Sequence, residues 1–140
     1  MEIETTRVSE AAASGRRLVI LDRSVDTLLA HAYALDALFG YGVHHQLRHR
    51  LQTLPFLRPD HTLYLHVPAE ALRLRRKAVS HTAAESDYFL HGPGFLRYAH
   101  DYFVHAAQQP VTRELTVLAA DTDPDEVAQA VEALVSFWAR

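Results

Sequence analysis

The stretch that most constrains the fold is Arg17 to Leu21, together with the polar residues that follow it. Four consecutive apolar residues, Leu18 to Leu21, are too few for a buried helix, and they include the β-forming residues valine and isoleucine. Such a run predicts a strand covered on both faces, as in parallel sheets. It stops at Asp22 and Arg23, and a helical pattern begins directly afterwards.

Helical and strand patterns alternate along the rest of the chain. Apolar residues at helical spacing predict a helix from Val25 to Phe39. Further strands are predicted at His61–Val67 and Glu114–Ala119, and a last helix at Pro124–Trp138. This alternation predicts a single α/β domain over residues 1–140, with three layers and a parallel sheet flanked by helices.

Composition excludes several classes of protein. The 140 residues have a formal charge of −3, so no basic surplus favours nucleic acid as a partner. There is no cysteine, which excludes disulfides and thiol chemistry. No apolar run approaches the length of a membrane span, and the first residues lack a signal-peptide pattern. We therefore expect a cytoplasmic protein with no membrane partner.

Polar residues after the first predicted strand form the first candidate site. Ligands of open α/β sheets bind beyond the carboxyl ends of the strands. Asp22, Arg23 and Ser24 are expected there. The alternative is a local salt bridge or a helix cap without a ligand.

Three segments of the chain resemble thymidylate kinases. The sequence D-R-S-V-D-T-L-L-A after the first strand resembles their D-R-[YFH] segment, and Asp-Arg-Ser is also similar to the E-R-S of deoxyribonucleoside kinases. Pro59 to Glu70, P-D-H-T-L-Y-L-H-V-P-A-E, resembles the family's stretch of PD, strand and PxE. Strand Leu115 to Ala119, followed by D-P-D-E-V, resembles the family's end. The likeness extends from about Thr5 onward and implies the P-loop nucleoside and nucleotide kinase superfamily.

The resemblance implies phosphoryl transfer from ATP, with Mg²⁺, to a nucleotide acceptor. It places Arg23 on the acceptor's phosphate and Asp22 near the magnesium ion. It also implies which residues act in catalysis and which bind the substrate. The catalytic set is Asp22, Arg23 and Arg75, and the substrate-binding set is Arg23, Ser24, Thr27 and His31.

A lid over the phosphates is also implied. Its arginines would be Arg73, Arg75 and Arg76, of which Arg75 best matches the family position. The segment of about 79–94, without periodicity and with Pro93 between two glycines, is expected to be the mobile part of the lid. The alternative is an ordinary solvated basic face of a helix.

The sequence departs from the family in two respects. Ala32 stands where the family has a base-recognising glutamine, and no G-x-x-x-x-G-K-[ST] sequence is present, since the only lysine is Lys77. The chain then corresponds to the C-terminal part of such a domain, either because its start was placed late or because it is truncated. In the family the missing strand lies between the first two strands predicted here, so we expect a homo-oligomer or a partner strand that completes the sheet. The alternative function is a non-catalytic binding or oligomerisation module.

Histidines suggest a weaker hypothesis. His45 and His49 lie one helical turn apart, which is a spacing that zinc sites use. Gln46 replaces the glutamate of H-E-x-x-H and no third ligand follows, so no metal site is predicted.

Overall fold

The structure, a computed structural model, describes residues 2–78, 92–105 and 110–140, without the side chains of residues 2–5 and 76. Most of the predicted lid segment, 79–94, therefore lies outside the described residues. Its last three positions are described, and a helix begins at Pro93 with Gly92 as its N-cap.

Two parallel strands form the sheet of the described residues. Strand β1 spans His61–His66 and β2 spans Glu114–Ala119. The register places His61 opposite Glu114 and His66 opposite Ala119. The second and third predicted strands are thus confirmed, with β1 one residue shorter than expected. The chain is a mixed α/β protein with a parallel pair of strands, and a three-layer sheet is not formed by the described residues.

Six helices are described around this pair. They are α1 Glu2–Ser14, α2 Val25–Phe39, α3 Val43–Leu51, α4 Ala69–Ala78, α5 Pro93–Val104 and α6 Pro124–Trp138. None of the described helices has both the length and the apolar character that crossing a membrane requires.

Helix α2 has well-formed caps at both ends. The Ser24 hydroxyl accepts a hydrogen bond from the N–H of Asp26 at 3.2 Å, which satisfies one free donor of the first turn. Gly40 ends the helix in the left-handed conformation, at φ 70°, and its N–H donates to the carbonyl of Asp36 at 2.8 Å. The Asp36 carboxylate also accepts from the first two N–H groups of α3, each at 2.8 Å, so it joins the two helices.

The core lies between the helices rather than under the sheet. Val25, Leu29 and Ala30 of α2 pack with Tyr102 of α5 in a fully buried cluster. Partly buried side chains surround this cluster: Tyr33, Leu47, Leu51, Phe56, Phe103 and Val111. The sheet is less well covered, because Leu65 on β1 and Val117 on β2 are each 45% exposed.

The first predicted strand is absent, and that prediction was wrong. Residues 17–21 form no strand, and Leu18, Val19 and Ile20 are 41%, 45% and 71% exposed. A strand requires a neighbour to accept and donate its backbone hydrogen bonds, and this segment has none among the described residues. Its apolar side chains consequently face solvent instead of a sheet core.

Candidate functional site

The candidate site is built on the N-terminal end of α2. Arg23 immediately precedes the cap Ser24 and has a left-handed backbone, with φ 66°. Its carbonyl accepts a hydrogen bond from the guanidinium of Arg7 at 3.0 Å, which links α1 to this turn. The exposed Arg23 guanidinium makes no hydrogen bond or ion pair with the described residues. A non-glycine residue at positive φ is uncommon, and such strain concentrates at functional turns.

Three of the four predicted substrate-binding residues share one face of α2. Ser24, Thr27 and His31 are separated by three and four residues, the spacing that places side chains on the same helical face. The His31 ring contacts the Phe95 ring edge-on, with centroids 5.4 Å apart. Burial, and secondarily the charge of Arg23, lowers the pKa of His31, so its imidazole is neutral at pH 7. The positive charge of Arg23 is therefore felt at His31, two turns further along the same helix.

Asp26 has a structural role that the sequence did not predict. Its carboxylate is fully buried and accepts from the Tyr102 hydroxyl at 2.6 Å. It also accepts from the backbone N–H groups of Val111 and Thr112, at 2.8 and 3.0 Å. Because Thr112 lies just before β2, Asp26 fixes the start of α2 at the amino end of the sheet. The sequence did contain a signal for the burial of Asp26, because Asp26 precedes the buried Leu29 and Ala30 by three and four residues, the spacing of one helical face.

The structure therefore places Asp22, Arg23 and Ser24 at the amino end of β2, and not beyond the carboxyl ends of the strands as expected. Helix α2 runs antiparallel to α5, since Asp26 contacts Tyr102 near the end of α5 and His31 contacts Phe95 near its beginning. The turn that holds Arg23 points away from the carboxyl edge.

Arg75, the third predicted catalytic residue, lies at the opposite end of the sheet. Its guanidinium donates to the carbonyls of Ala120 and Thr122, at 2.7 and 3.3 Å, directly after β2. Thr112 and Ala120 are eight residues apart, which corresponds to about 25 Å of extended strand. One copy of the chain therefore does not bring Arg23 and Arg75 together.

The other lid arginines have different environments. Arg73 forms an exposed bidentate pair with Glu70, one turn earlier on α4. The side chain of Arg76 lies outside the described residues. Of the three, Arg75 alone is shown in contact with the sheet, and the remaining N–H groups of its guanidinium make no hydrogen bond to described residues.

A second cluster at the carboxyl edge was not anticipated. His66 of β1 and His100 of α5 stack with ring centroids 4.0 Å apart. Tyr64 stacks on Phe103 one step along the same strand, at 4.3 Å. Burial, followed by the neighbouring His66, lowers the pKa of His100. These contacts attach α5 to one face of β1.

The residues fit the implied cofactors only in part. Asp22 is exposed and offers one carboxylate, and magnesium is commonly held by one or two carboxylates together with substrate phosphates. Within the described ranges no three histidine, aspartate or glutamate side chains converge as a metal site, and His45 and His49 gain no third partner. The G-x-x-x-x-G-K-[ST] loop that holds the phosphates of ATP in the resembled family is not present in this sequence.

Comparison with known proteins identifies no relative. No protein-family model, no curated protein and no solved structure matches this chain. The fold of the described residues defines a mixed α/β protein with a parallel pair of strands.

Proposed function

We propose that this chain is the acceptor-binding part of a thymidylate-kinase-like phosphotransferase. The acceptor is a nucleoside monophosphate, and the reaction transfers the γ-phosphoryl group of ATP, with Mg²⁺, to it. ATP binding requires a phosphate-binding segment in addition to these 140 residues, because they lack the necessary loop. In this proposal the chain is a nucleotide-binding transferase component.

One observation carries the proposal: the exposed Arg23 guanidinium projects from a strained turn at the capped start of α2. A guanidinium presents a planar fork of donors that matches two oxygens of a phosphate. The positive end of the helix dipole adds attraction for an anion at the same place.

The neighbouring side chains suit the rest of a nucleotide. His31 is neutral at pH 7 and offers one donor and one acceptor, while its contact Phe95 is aromatic. Thr27 lies between Arg23 and His31 along the helix face and supplies a hydroxyl group. A phosphate at Arg23 and a sugar and base along Thr27 and His31 follow the axis of α2.

Calorimetric titration tests the proposal. Thymidine 5′-monophosphate should bind more tightly than thymidine, and Arg23→Ala should weaken monophosphate binding by about 1.5–3 kcal/mol, the value of one charge-assisted contact. Thymidine binding should change little. Arg50→Ala, an exposed arginine on α3, is the matched control and should leave both affinities unchanged. Equal losses for the two ligands with Arg23→Ala would refute the phosphate role.

A specific observation also favours a second candidate, a non-catalytic oligomerisation module. The exposed run from Leu18 to Ile20 is apolar and has strand-forming character. Solvent-exposed runs of this kind mark association surfaces. A chain that assembles through this run but binds no monophosphate would support this candidate over the first.

A further inference from the structure

Two parts of the chain, an exposed apolar segment and an open strand edge, are complementary. The first is the exposed apolar run Leu18–Ile20, whose backbone pairs with no strand in the described part of the chain. The second is the outer edge of β1, because only β2 pairs with β1 among the described residues. Half of the backbone N–H and C=O groups of a strand point toward each edge, so this outer edge has unpaired donors and acceptors.

We propose that Arg17–Leu21 of one copy adds as a parallel strand to the outer edge of β1 in a second copy. The exchange carries Asp22 and Arg23 to the carboxyl edge of the second copy, beside its Arg75. The phosphate site is then shared between two copies of the chain. The identity of its ligand rests on the proposed function above.

The same copy cannot supply this strand while Asp26 keeps its hydrogen bonds. In parallel register Leu21 lies next to Leu65, which is level with Leu118 on β2. That position is about 20 Å along the strands from Thr112 and about 10 Å across them. The backbone from Asp26 back to Leu21 spans only about 13 Å, so the segment falls short even with the Asp26 side chain added.

Charges select the parallel orientation. Parallel addition places Asp22 beside His66, at the end of the sheet where Arg75 lies. Antiparallel addition places the Arg16–Arg17 pair at that end, where arginine would face arginine. At the amino end, the charge of Asp60 is already paired with Arg113 at 3.1 Å. The charges at the carboxyl end therefore determine the orientation of the added strand.

The burial of exposed apolar side chains also favours this arrangement. Leu65 is 45% exposed on β1, and Ile20 is 71% exposed on the free segment. An added strand lies about 4.8 Å from β1 and covers Leu65 with apolar side chains of its own. In this register Leu21 lies beside Leu65 on one face of the sheet, and Ile20 lies beside Tyr64 on the opposite face, so the added strand reduces the two exposures on different faces.

The composite site has the charges that a phosphate requires. Arg75 is held in place by two carbonyls and keeps unused N–H groups. Arg23 of the other copy adds a second guanidinium. Two converging guanidinium groups bind a phosphate dianion more strongly than one, because each contributes charge-assisted hydrogen bonds.

Sedimentation velocity tests the association. The wild-type chain should form a dimer at tens of micromolar, and Ile20→Asp should make it monomeric with an unchanged circular dichroism spectrum. Phe137→Asp is the matched control, because Phe137 is 69% exposed on α6 and should leave the dimer intact. A monomeric wild-type chain, or one that takes its strand from a different polypeptide, would overturn the proposal.

Cross-linking tests the register, and the chain contains no cysteine to interfere. A Leu21→Cys chain mixed with a Leu65→Cys chain should form an interchain disulfide on oxidation, since paired strands lie about 4.8 Å apart, within the range of about 4.4–6.8 Å between Cα atoms that disulfides span. A Thr62→Cys chain is the control and should not cross-link to Leu21→Cys, because it lies three residues, about 10 Å, along the strand. Equal cross-linking of both pairs would overturn the register.

Complementation tests the shared site. Arg23→Ala and Arg75→Ala chains should each lose thymidine 5′-monophosphate binding, and a mixture should regain about one quarter of the wild-type sites, because each mixed dimer has one intact site. Monophosphate binding by a monomer would refute this inference and leave the proposed function standing. Cross-linked dimers that bind no monophosphate would refute the proposed function and leave the strand exchange standing.

Discussion

The hydroxyl of Tyr102 on α5 donates a hydrogen bond to the carboxylate of Asp26 on α2 at 2.6 Å, and both side chains are fully buried. Burial and this hydrogen bond raise the pKa of Tyr102, so the hydroxyl remains protonated. The same carboxylate accepts from two backbone N–H groups just before β2. One aspartate thus joins the helical core to the sheet, and it also determines where Arg23 lies.

Asp26→Ala is expected to lower the free energy of unfolding by about 3 kcal/mol or more, since it removes the acceptor of two buried donors and one partly buried donor, at about 1–3 kcal/mol for each buried donor left unpaired. Tyr102→Phe removes one of the three bonds and should cost about 1–2 kcal/mol. Urea denaturation measures both. Asp121→Ala, an exposed aspartate after β2, is the control, and equal stability of the two alanine variants would contradict the anchoring role.

Gly40→Ala is expected to lower stability by about 1 kcal/mol, because Gly40 ends α2 at φ 70°, where an L-residue is strained. No described atom lies within 4 Å of the added Cβ, so strain is the only cost. Gly94→Ala is the matched control: its Cβ meets only the flexible Leu38 side chain at 3.4 Å, and its φ is not positive. A loss with Gly94→Ala as large as with Gly40→Ala would contradict this account.

Stability is expected to fall as the pH drops below about 6.5, the ordinary pKa of histidine. Burial lowers the pKa of His44 and of His100 in the folded chain, so the unfolded chain binds more protons in this range. The contribution of the two neutral imidazoles to the free energy of unfolding is fully present above that pH and is lost as the pH falls below it. Urea denaturation at pH 7.5 and pH 5.5 measures the difference.

His100→Leu should reduce that loss, because it removes one buried imidazole and the repulsion from the stacked His66. His49→Leu is the control, since His49 is exposed on α3, and it should retain the full loss. The same pH dependence in both variants would show that His100 does not contribute.

Features encoded by local chemistry could be predicted from the sequence. The spacing of its apolar residues accounts for helix α2, and the cap residues Ser24 and Gly40 account for its two ends. Strand β2 was also predicted correctly, and the cap of α6, where Asp123 accepts from the N–H of Asp125 at 2.8 Å, is equally local. Each of these depends on residues within a few positions of one another.

Features that depend on distant partners could not be predicted. The run Leu18–Leu21 has the composition of a buried strand, but composition does not supply the neighbouring strand. The stack of His66 on His100 joins residues 34 positions apart, and neither residue has a local pattern that marks it. The position of Arg23 at the amino end of the sheet depends on the hydrogen bonds between Asp26 and the N–H groups of Val111 and Thr112, which lie 85 and 86 positions after Asp26.

The most direct test of the central claim, that a nucleoside monophosphate binds along the start of α2, is ¹⁵N–¹H correlation spectroscopy. Thymidine 5′-monophosphate titrated into the labelled chain should shift the backbone signals of Arg23, Ser24, Thr27 and His31 first and most, and thymidine should shift them less. The exposed face of α6 provides the internal reference and should not respond. No shifts at these four residues, or shifts that thymidine reproduces in full, would contradict the account.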